Sequence, residues 1–290
     1  MEIKPSYKQT EIGVIPEDWV ASRVSEVFSF KQGFQCPVDK QSSVKRPGFV
    51  RFIRIIDVTQ KNEAERYILD PGDQYHVKEN GLFMIRYGVP GMLGYGYSGV
   101  IANNMFMLIA LKQIDSLYFY YMLQTQQDSI LNLSSSTTMA AVNFQSLREL
   151  MICHPNDIVE QNAIANALSD IDSLITSLEK LIEKKKLIKQ GVMQELLTGK
   201  RRLPGFSGEW ETKRLGTFCA HITTGRKDVN EGNPNGKYPF YTCSRAVTFS
   251  DHYSFDTEAI LIAGNGDVGT LHYFTGKFEA YQRTYVLSGF

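Results

Sequence analysis

From Ile158 to Thr198 the chain runs for about forty-one residues with no proline and a single glycine, Gly191. Such a stretch lacks the two residue types that most readily break a helix. Asp157, with Glu160 three positions on and Pro155 just upstream, has the form of an acidic capping box, and Gly199 suits the C-terminal stop. At 1.5 Å per residue the predicted helix spans roughly 60 Å, far beyond the three or four turns of an ordinary globular helix. Its apolar residues Ile164, Leu168, Ile171, Leu174, Ile175, Leu178, Leu181, Ile182, Ile188 and Val192 step by three and four. That seam wants a partner helix, parallel or antiparallel. Lys184-Lys185-Lys186 interrupts it; such a run is usually a solvated face, with phosphate contact as the alternative.

What flanks this helix is duplicated. Glu17-Asp18-Trp19, followed by Arg23-Val24, recurs as Gly208-Glu209-Trp210, followed by Arg214-Leu215, at an offset of 191. Residues 83–108 align without a gap on 261–286, at an offset of 178, pairing Gly88 with Gly266, Gly91 with Gly269, Leu93 with Leu271, Tyr95 with Tyr273 and Ala102 with Ala280. Glycines held in register mark backbone positions that other residues tolerate poorly. The fall from 191 to 178 makes the second copy about 13 residues shorter in its middle. After Leu108 the first copy continues for nearly fifty residues before the helix, whereas four follow Val286, so the second domain is expected to be incomplete at its C-terminal end. Residues 50–58, 81–89, 99–111 and 259–268 read as strands, and 116–125 reads as a helix. The predicted fold class is therefore α+β: two similar α/β domains, residues 1–156 and 201–290, separated by a coiled-coil-type helix over 157–200.

Charge limits how such a chain could act. Lys and Arg number 31 and Asp and Glu number 31. The balance is 15 against 15 in residues 1–156, 6 against 7 in 157–200, and 10 against 9 in 201–290. A protein gripping nucleic acid alone usually carries a basic excess, because phosphate neutralisation supplies most non-specific affinity. A neutral chain can read bases but needs help with the backbone, which points to partner subunits. The four cysteines, Cys36, Cys153, Cys219 and Cys243, form no CxxC pair and read as reduced thiols of a cytoplasmic protein. No signal peptide or membrane-spanning run is visible.

Three segments carry a family resemblance: IGVIPEDW (12–19), NFQSLRELMICHPNDIVEQNAIANALSDID (143–172) and LLTGKRRLPGFSGEW (196–210). In this order the chain resembles, over essentially its whole length, the DNA-specificity subunits of type I restriction–modification systems. Pro155, Glu160 and Gln161 match the step that opens the first conserved helix of that family; Asn156 and Asp157 depart from its more usual proline or leucine. The resemblance implies two target-recognition domains, each reading one half of a split, asymmetric DNA site, with a helix setting the spacer. It also implies two methyltransferase subunits docked along the helix, and restriction subunits beside them. S-adenosylmethionine, ATP and Mg are expected on those partners, so this chain needs no cofactor or metal and is not an enzyme by itself. With one helix present, its seam (Ile164, Leu168, Ile171, Ile175, Leu178, Ile182, Ile188, Val192) is expected to pair with a second molecule in a homodimer.

Base reading uses Arg, Lys, Asn and Gln presented from loops and element ends. Residues 27–56 hold Lys31, Lys40, Lys45, Arg46, Arg51 and Arg54 against one acid, Asp39. Lys31 and Gln32 open a polar loop at Gly33, matched at Gly225 by Thr224, Arg226 and Lys227. A second strip, Arg86 and Tyr87, is matched by Asn265, and a third, Asn103 and Asn104, by Gln282 and Arg283. A fourth, with Ser136, Thr137, Thr138 and Asn143, is a polar loop able to touch phosphate and bases. Repeats that keep scaffold glycines and change polar side chains suit two readers of different half-sites.

Other chemistry finds little support. Residues 264–269 spell G-x-G-x-x-G, but a strand rather than a helix follows, which argues against dinucleotide binding. Asn233-Pro234-Asn235-Gly236 does not match the amino-methyltransferase motif, and the five histidines form no ligand-spaced cluster. The competing functions are a protein–protein scaffold with duplicated binding domains, mildly favoured by neutrality, and the recognition half of a single-chain enzyme.

Overall fold

The computed structural model describes residues 6–60, 63–132 and 141–290. It divides into two compact units, Met1–Ile188 and Lys189–Phe290, with the long helix Ile158–Leu197 contributing to both.

The first unit is built on apolar strands buried on both faces. In Leu82–Ile85 and Met105–Ala110, successive side chains point to opposite sides. Leu82, Met84, Phe106 and Leu108 enter a core with Val24, Val27, Phe119, Leu123 and Ile152. Phe83, Ile85, Met105 and Met107 enter a second core with Phe52, Ile53, Ile68 and Val100. The strand order is Phe28–Gln32, Met105–Ala110, Leu82–Ile85, Leu93–Gly94 in one sheet and Arg66–Leu69, Phe49–Ile53, Gly99–Ile101, His76–Val77 in another. Helices Ser116–Thr125 and Phe144–Glu149 cover the first core. Strand Trp19–Arg23 pairs antiparallel with Met151–Pro155, closing the unit end to end.

Three sequence readings need correction. Residues 50–58 are not one strand: Phe49–Ile53 ends where Arg54 and Asp57 cap a short helix, Ile55–Thr59. Residues 99–111 are two strands parted by a turn at Asn103 and Asn104. Lys31–Gln32 and Thr223–Thr224 lie on strand ends rather than in loops. The helix at 116–125 stands as expected.

The second unit repeats the plan. Its sheet runs His221–Thr224, Thr284–Ser288, Phe255–Ala263, Leu271–Ala280, Tyr238–Tyr241, Thr248–Ser250. Leu271–Ala280 is continuous where the first unit has two pieces, Leu93–Gly94 and Gly99–Ile101, which splits one six-stranded plan into two sheets there. Parallel pairing of Ile53 with Ile101 is matched by that of Tyr241 with Ala280. Ala280 is thus the counterpart of Ile101 rather than Ala102, and the gap-free alignment slips by one residue. Upstream of the slip the offset of 178 holds: Gly91 and Gly269 both have positive φ and donate to Ile85 and Ala263 respectively. In the second unit Leu215, Phe218 and Tyr285 are exposed, where their counterparts Val24, Val27 and Phe106 are buried under the helical layer.

The helix begins as its sequence implies. The Asp157 carboxylate accepts the Val159 amide at 2.8 Å. Glu160 does not return to the cap; it accepts the Trp19 indole N–H at 3.0 Å. Gln161, 3% exposed, donates to the Pro155 carbonyl at 2.8 Å and accepts the Asp115 amide at 3.0 Å. The helix stops at Gly199, whose φ is +72°. From Leu168 to Val192 its apolar residues are exposed.

Gly33 and Gly225 set the sharpest local test. A Cβ on Gly33 would lie 2.2 Å from the Ala102 carbonyl oxygen, and one on Gly225 1.9 Å from that of Ala280. Gly191, inside the helix, has open space around it. Urea denaturation should show Gly33→Ala and Gly225→Ala each losing at least about 1–3 kcal/mol, since backbone must move. Gly191→Ala should gain about 0.5–1 kcal/mol from helix propensity.

Candidate nucleic-acid interface

In the first unit the close approach at Gly33 clamps a strand end against a turn. The Gly33 amide donates to the Met105 carbonyl at 2.9 Å and the Phe34 amide to that of Ile101 at 2.8 Å. Gln32 is thereby held beside the turn at Asn103 and Asn104, and its amide group donates to the Asn103 carbonyl. Arg86 arrives from the neighbouring strand: its backbone N–H donates to the Asn104 carbonyl at 2.8 Å, and its Nη1 donates to Gln32 Oε1 at 3.4 Å. The guanidinium lies over two rings, Phe144 at 4.5 Å and Tyr87 at 4.9 Å. Stacking of this kind fixes the plane of the group and leaves its edge donors directed. Arg86 Nε and Asn104 Oδ1 are buried without a hydrogen-bond partner among the described residues. Asn143 caps the helix beneath Phe144, accepting the Gln145 amide at 2.8 Å.

Residues distant in the sequence therefore meet: Gln32, Arg86, Tyr87, Asn103, Asn104 and Asn143 occupy one polar corner. Ser136, Thr137 and Thr138 lie outside the described residues. Lys31 faces the opposite side of its strand, its Nζ 5.7 Å from the centre of the Tyr75 ring. Arg51 is elsewhere, paired with Glu65 at 3.3 Å and stacked on Tyr97 at 5.8 Å, with its Nε buried and without a hydrogen-bond partner among the described residues. Arg54 is held by Asp57, Nε to Oδ2 at 2.9 Å and Nη2 to Oδ1 at 2.8 Å, and also donates to the Ala64 carbonyl. The hydrogen bond to the Asp57 carboxylate raises the already high guanidinium pKa. The Arg-x-x-Asp spacing was the available signal for this pairing, whereas nothing near Arg86 in sequence marks Phe144 as its platform.

The second unit builds the same corner with other side chains. Gly225 donates to the Thr284 carbonyl at 3.2 Å, and the turn between Tyr281 and Thr284 presents Gln282 and Arg283, both exposed. The Gly264 amide donates to the Arg283 carbonyl at 2.9 Å, as that of Arg86 does to Asn104. Thr224 ends the adjoining strand. The Gln282 amide group donates to Asp228 at 3.4 Å, and Lys227 pairs with Glu231 at 2.6 Å. Arg226 is exposed and has no ion-pair partner among the described residues. Asn265 lines a shallow cavity of about 430 Å³ with Thr242, Ser244 and Tyr281. Asp228 and Glu231, which hold Gln282 and Lys227, are absent from the sequence-derived set. Among the described residues no His, Cys, Asp or Glu cluster could hold a metal ion, and no helix is long and apolar enough to cross a membrane.

Arg54→Ala should act on stability. It strands the Asp57 carboxylate, whose side chain is 3% exposed, and should cost about 1–3 kcal/mol in urea denaturation.

Comparison with known proteins agrees with this architecture. The family described as the type I restriction modification DNA specificity domain matches residues 16–190 and 207–289. The EcoDI specificity subunit of Escherichia coli is 46% identical over 79 residues, 27% of this chain and 17% of that protein. A putative type I specificity subunit of Mycoplasma pneumoniae is 26% identical over 174 residues, 56% of this chain and 46% of the relative. The MjaVIII specificity subunit of Methanocaldococcus jannaschii is 25% identical over 186 residues, 63% of this chain and 43% of the relative. The chain thus spans less than half of each of these relatives. A crystal structure of the S subunit of a type I system from M. genitalium shares the fold, with a TM-score of 0.61 and 19% identity over 99% of this chain and 74% of that one. A chain from work on complex assembly of the type I R-M system gives a TM-score of 0.55 and 13% identity, covering 94% and 76%. With two copies of one fold, a long helix and a family match across both, the chain belongs to the type I restriction–modification DNA-specificity family.

Proposed function

We propose that this chain is the DNA-reading subunit of a type I restriction–modification complex, each unit reading one half of a bipartite, asymmetric site. The carrying observation is the corner repeated in both units: the same glycine clamp and turn present Gln32, Arg86, Asn103 and Asn104 in one unit and Thr224, Arg226, Gln282 and Arg283 in the other. A conserved scaffold with exchanged donors is what reading two different sequences requires. Tyr87, Asn143 and Asn265 add further contacts at these corners; Lys31 and Arg51, which lie away from the first corner, and Lys227, which is paired with Glu231, are proposed as contacts outside them, as are Ser136, Thr137 and Thr138 on the sequence alone.

The long helix sets the spacer and docks two methyltransferase subunits, with restriction subunits joining them in the cytoplasm. Those partners bring S-adenosylmethionine, ATP and Mg, and they supply the phosphate grip that a chain of zero formal charge lacks. This subunit contributes recognition and no catalysis. Its exposed seam is covered by a second copy, giving a homodimer.

The test uses the chain assembled with its methyltransferase subunits. Gel shifts should show Arg86→Ala and Arg226→Ala each weakening cognate binding by roughly 5–150-fold, the equivalent of ~1–3 kcal/mol for one bidentate base contact. Binding to random DNA should fall much less. Equal losses on both DNAs would make these residues backbone contacts. Methylation-site mapping should then show first-unit substitutions relaxing one half-site and second-unit substitutions the other; a single undivided motif would sink the bipartite reading.

A further inference from the structure

Arg86 is held more firmly than a surface arginine needs to be. Its amide donates to the Asn104 carbonyl at 2.8 Å, and its carbonyl accepts the Val142 amide at 3.1 Å. Phe144, one of the two rings against its guanidinium, packs in turn against Phe106 at 4.8 Å and Phe30 at 5.8 Å, so this platform is anchored in the core. With Tyr87 as the second ring, the plane of the guanidinium is set. The edge it shows is equally restricted. Nε is buried, and Nη1 gives one hydrogen to Gln32 Oε1 at 3.4 Å. The Gln32 amide is oriented for this, because its own N–H donates to the Asn103 carbonyl. What remains is the second Nη1 hydrogen and both on Nη2, which have no partner among the described residues. These make a planar fork of donors.

Among the base edges of the major groove only guanine offers two acceptors, N7 and O6. Adenine sets an acceptor beside a donor, thymine an acceptor beside a methyl group, and cytosine a donor. A phosphate accepts around its whole tetrahedron, so a fixed plane adds little there. In the second unit both parts of the device change together. Gly264 stands at the place of Arg86, where even a Cβ would lie 2.6 Å from the Arg283 carbonyl oxygen, and Thr224 stands at the place of Gln32. Joint replacement is what two residues with one shared task would show.

We propose that Arg86 reads a guanine in the half-site of the first unit, with Gln32 and Phe144 as positioning residues that aim its free edge. This rests on the DNA-reading function above and adds which base is read and by what device. Gel shifts of the chain assembled with its methyltransferase subunits test it, on the site found by methylation mapping. Each guanine in turn is replaced by 7-deazaguanine, which lacks N7. One guanine, in one half-site, should weaken wild-type binding about 5-fold or more when replaced. Hypoxanthine at the same place, which keeps N7 and O6, should not. The Arg86→Ala complex should bind the guanine and 7-deazaguanine duplexes equally, and Gln32→Ala and Phe144→Leu should each lose most of the difference at that same guanine. Full sensitivity in either of the last two would overturn its positioning role. Sensitivity that persists in Arg86→Ala, or its absence at every guanine in the wild type, would overturn the guanine assignment while leaving DNA reading intact. A wild-type complex that binds cognate and random DNA alike would overturn the DNA-reading function itself, and this proposal with it.

Discussion

Two α-carbons packed against carbonyl oxygens govern the shape of both units. At Gly33 and Gly225 the backbone passes a neighbouring turn so closely that even a methyl group would overlap a peptide oxygen. The contact lets a strand end donate across the turn, and it holds that turn beside the end of a third strand. Three strand ends are thereby gathered at one corner, and the side chains there project from backbone that has no freedom to adjust. A recognition surface needs this: the donors can be exchanged from one copy to the next while their origins stay where the clamp puts them.

The helix depends on a second constraint, set where it leaves the first unit. Gln161 is almost fully buried and ties the end of the preceding strand to the start of helix Ser116–Thr125, while Glu160 binds the Trp19 indole. A buried amide with both its donor and its acceptor used is costly to disturb. The direction in which the first turns of the helix leave the unit is therefore held by hydrogen bonds, the last of them from the Tyr121 hydroxyl to Asp172 at 2.7 Å, whereas the apolar residues from Ile171 to Val192 stay exposed. That contrast gives the Pro155, Glu160, Gln161 step a physical reason.

Neutral composition hides an uneven use of charge. Arg54 is bound to Asp57 and Lys227 to Glu231, so neither carries a free charge outward. Arg86 instead lies on aromatic rings, with Gln32 as its only hydrogen-bonded side chain among the described residues. Counting cations in residues 27–56 could not separate these roles, because whether an arginine is available depends on which carboxylate the fold brings to it.

The sequence by itself determined the long helix, its cap at Asp157 and stop at Gly199, the duplication around it, and the helix at 116–125. These depend on local propensity, on periodicity and on glycines whose backbone no other residue adopts cheaply. It also marked the polar residues of the corners, since an exchanged polar residue beside a kept glycine is visible in one chain, but it read Lys31–Gln32 and Thr223–Thr224 as loops and Asn103–Asn104 as part of one strand. Only the tertiary structure decided that Ala280 answers to Ile101, because a one-residue insertion leaves composition and pattern almost unchanged while strand pairing counts every residue. It alone decided that Lys31 turns away from Gln32, that Phe144 lies beneath Arg86, and that Asp57 holds Arg54. Each of those depends on which side of a strand faces which core, a choice made when the sheet packs on both faces at once.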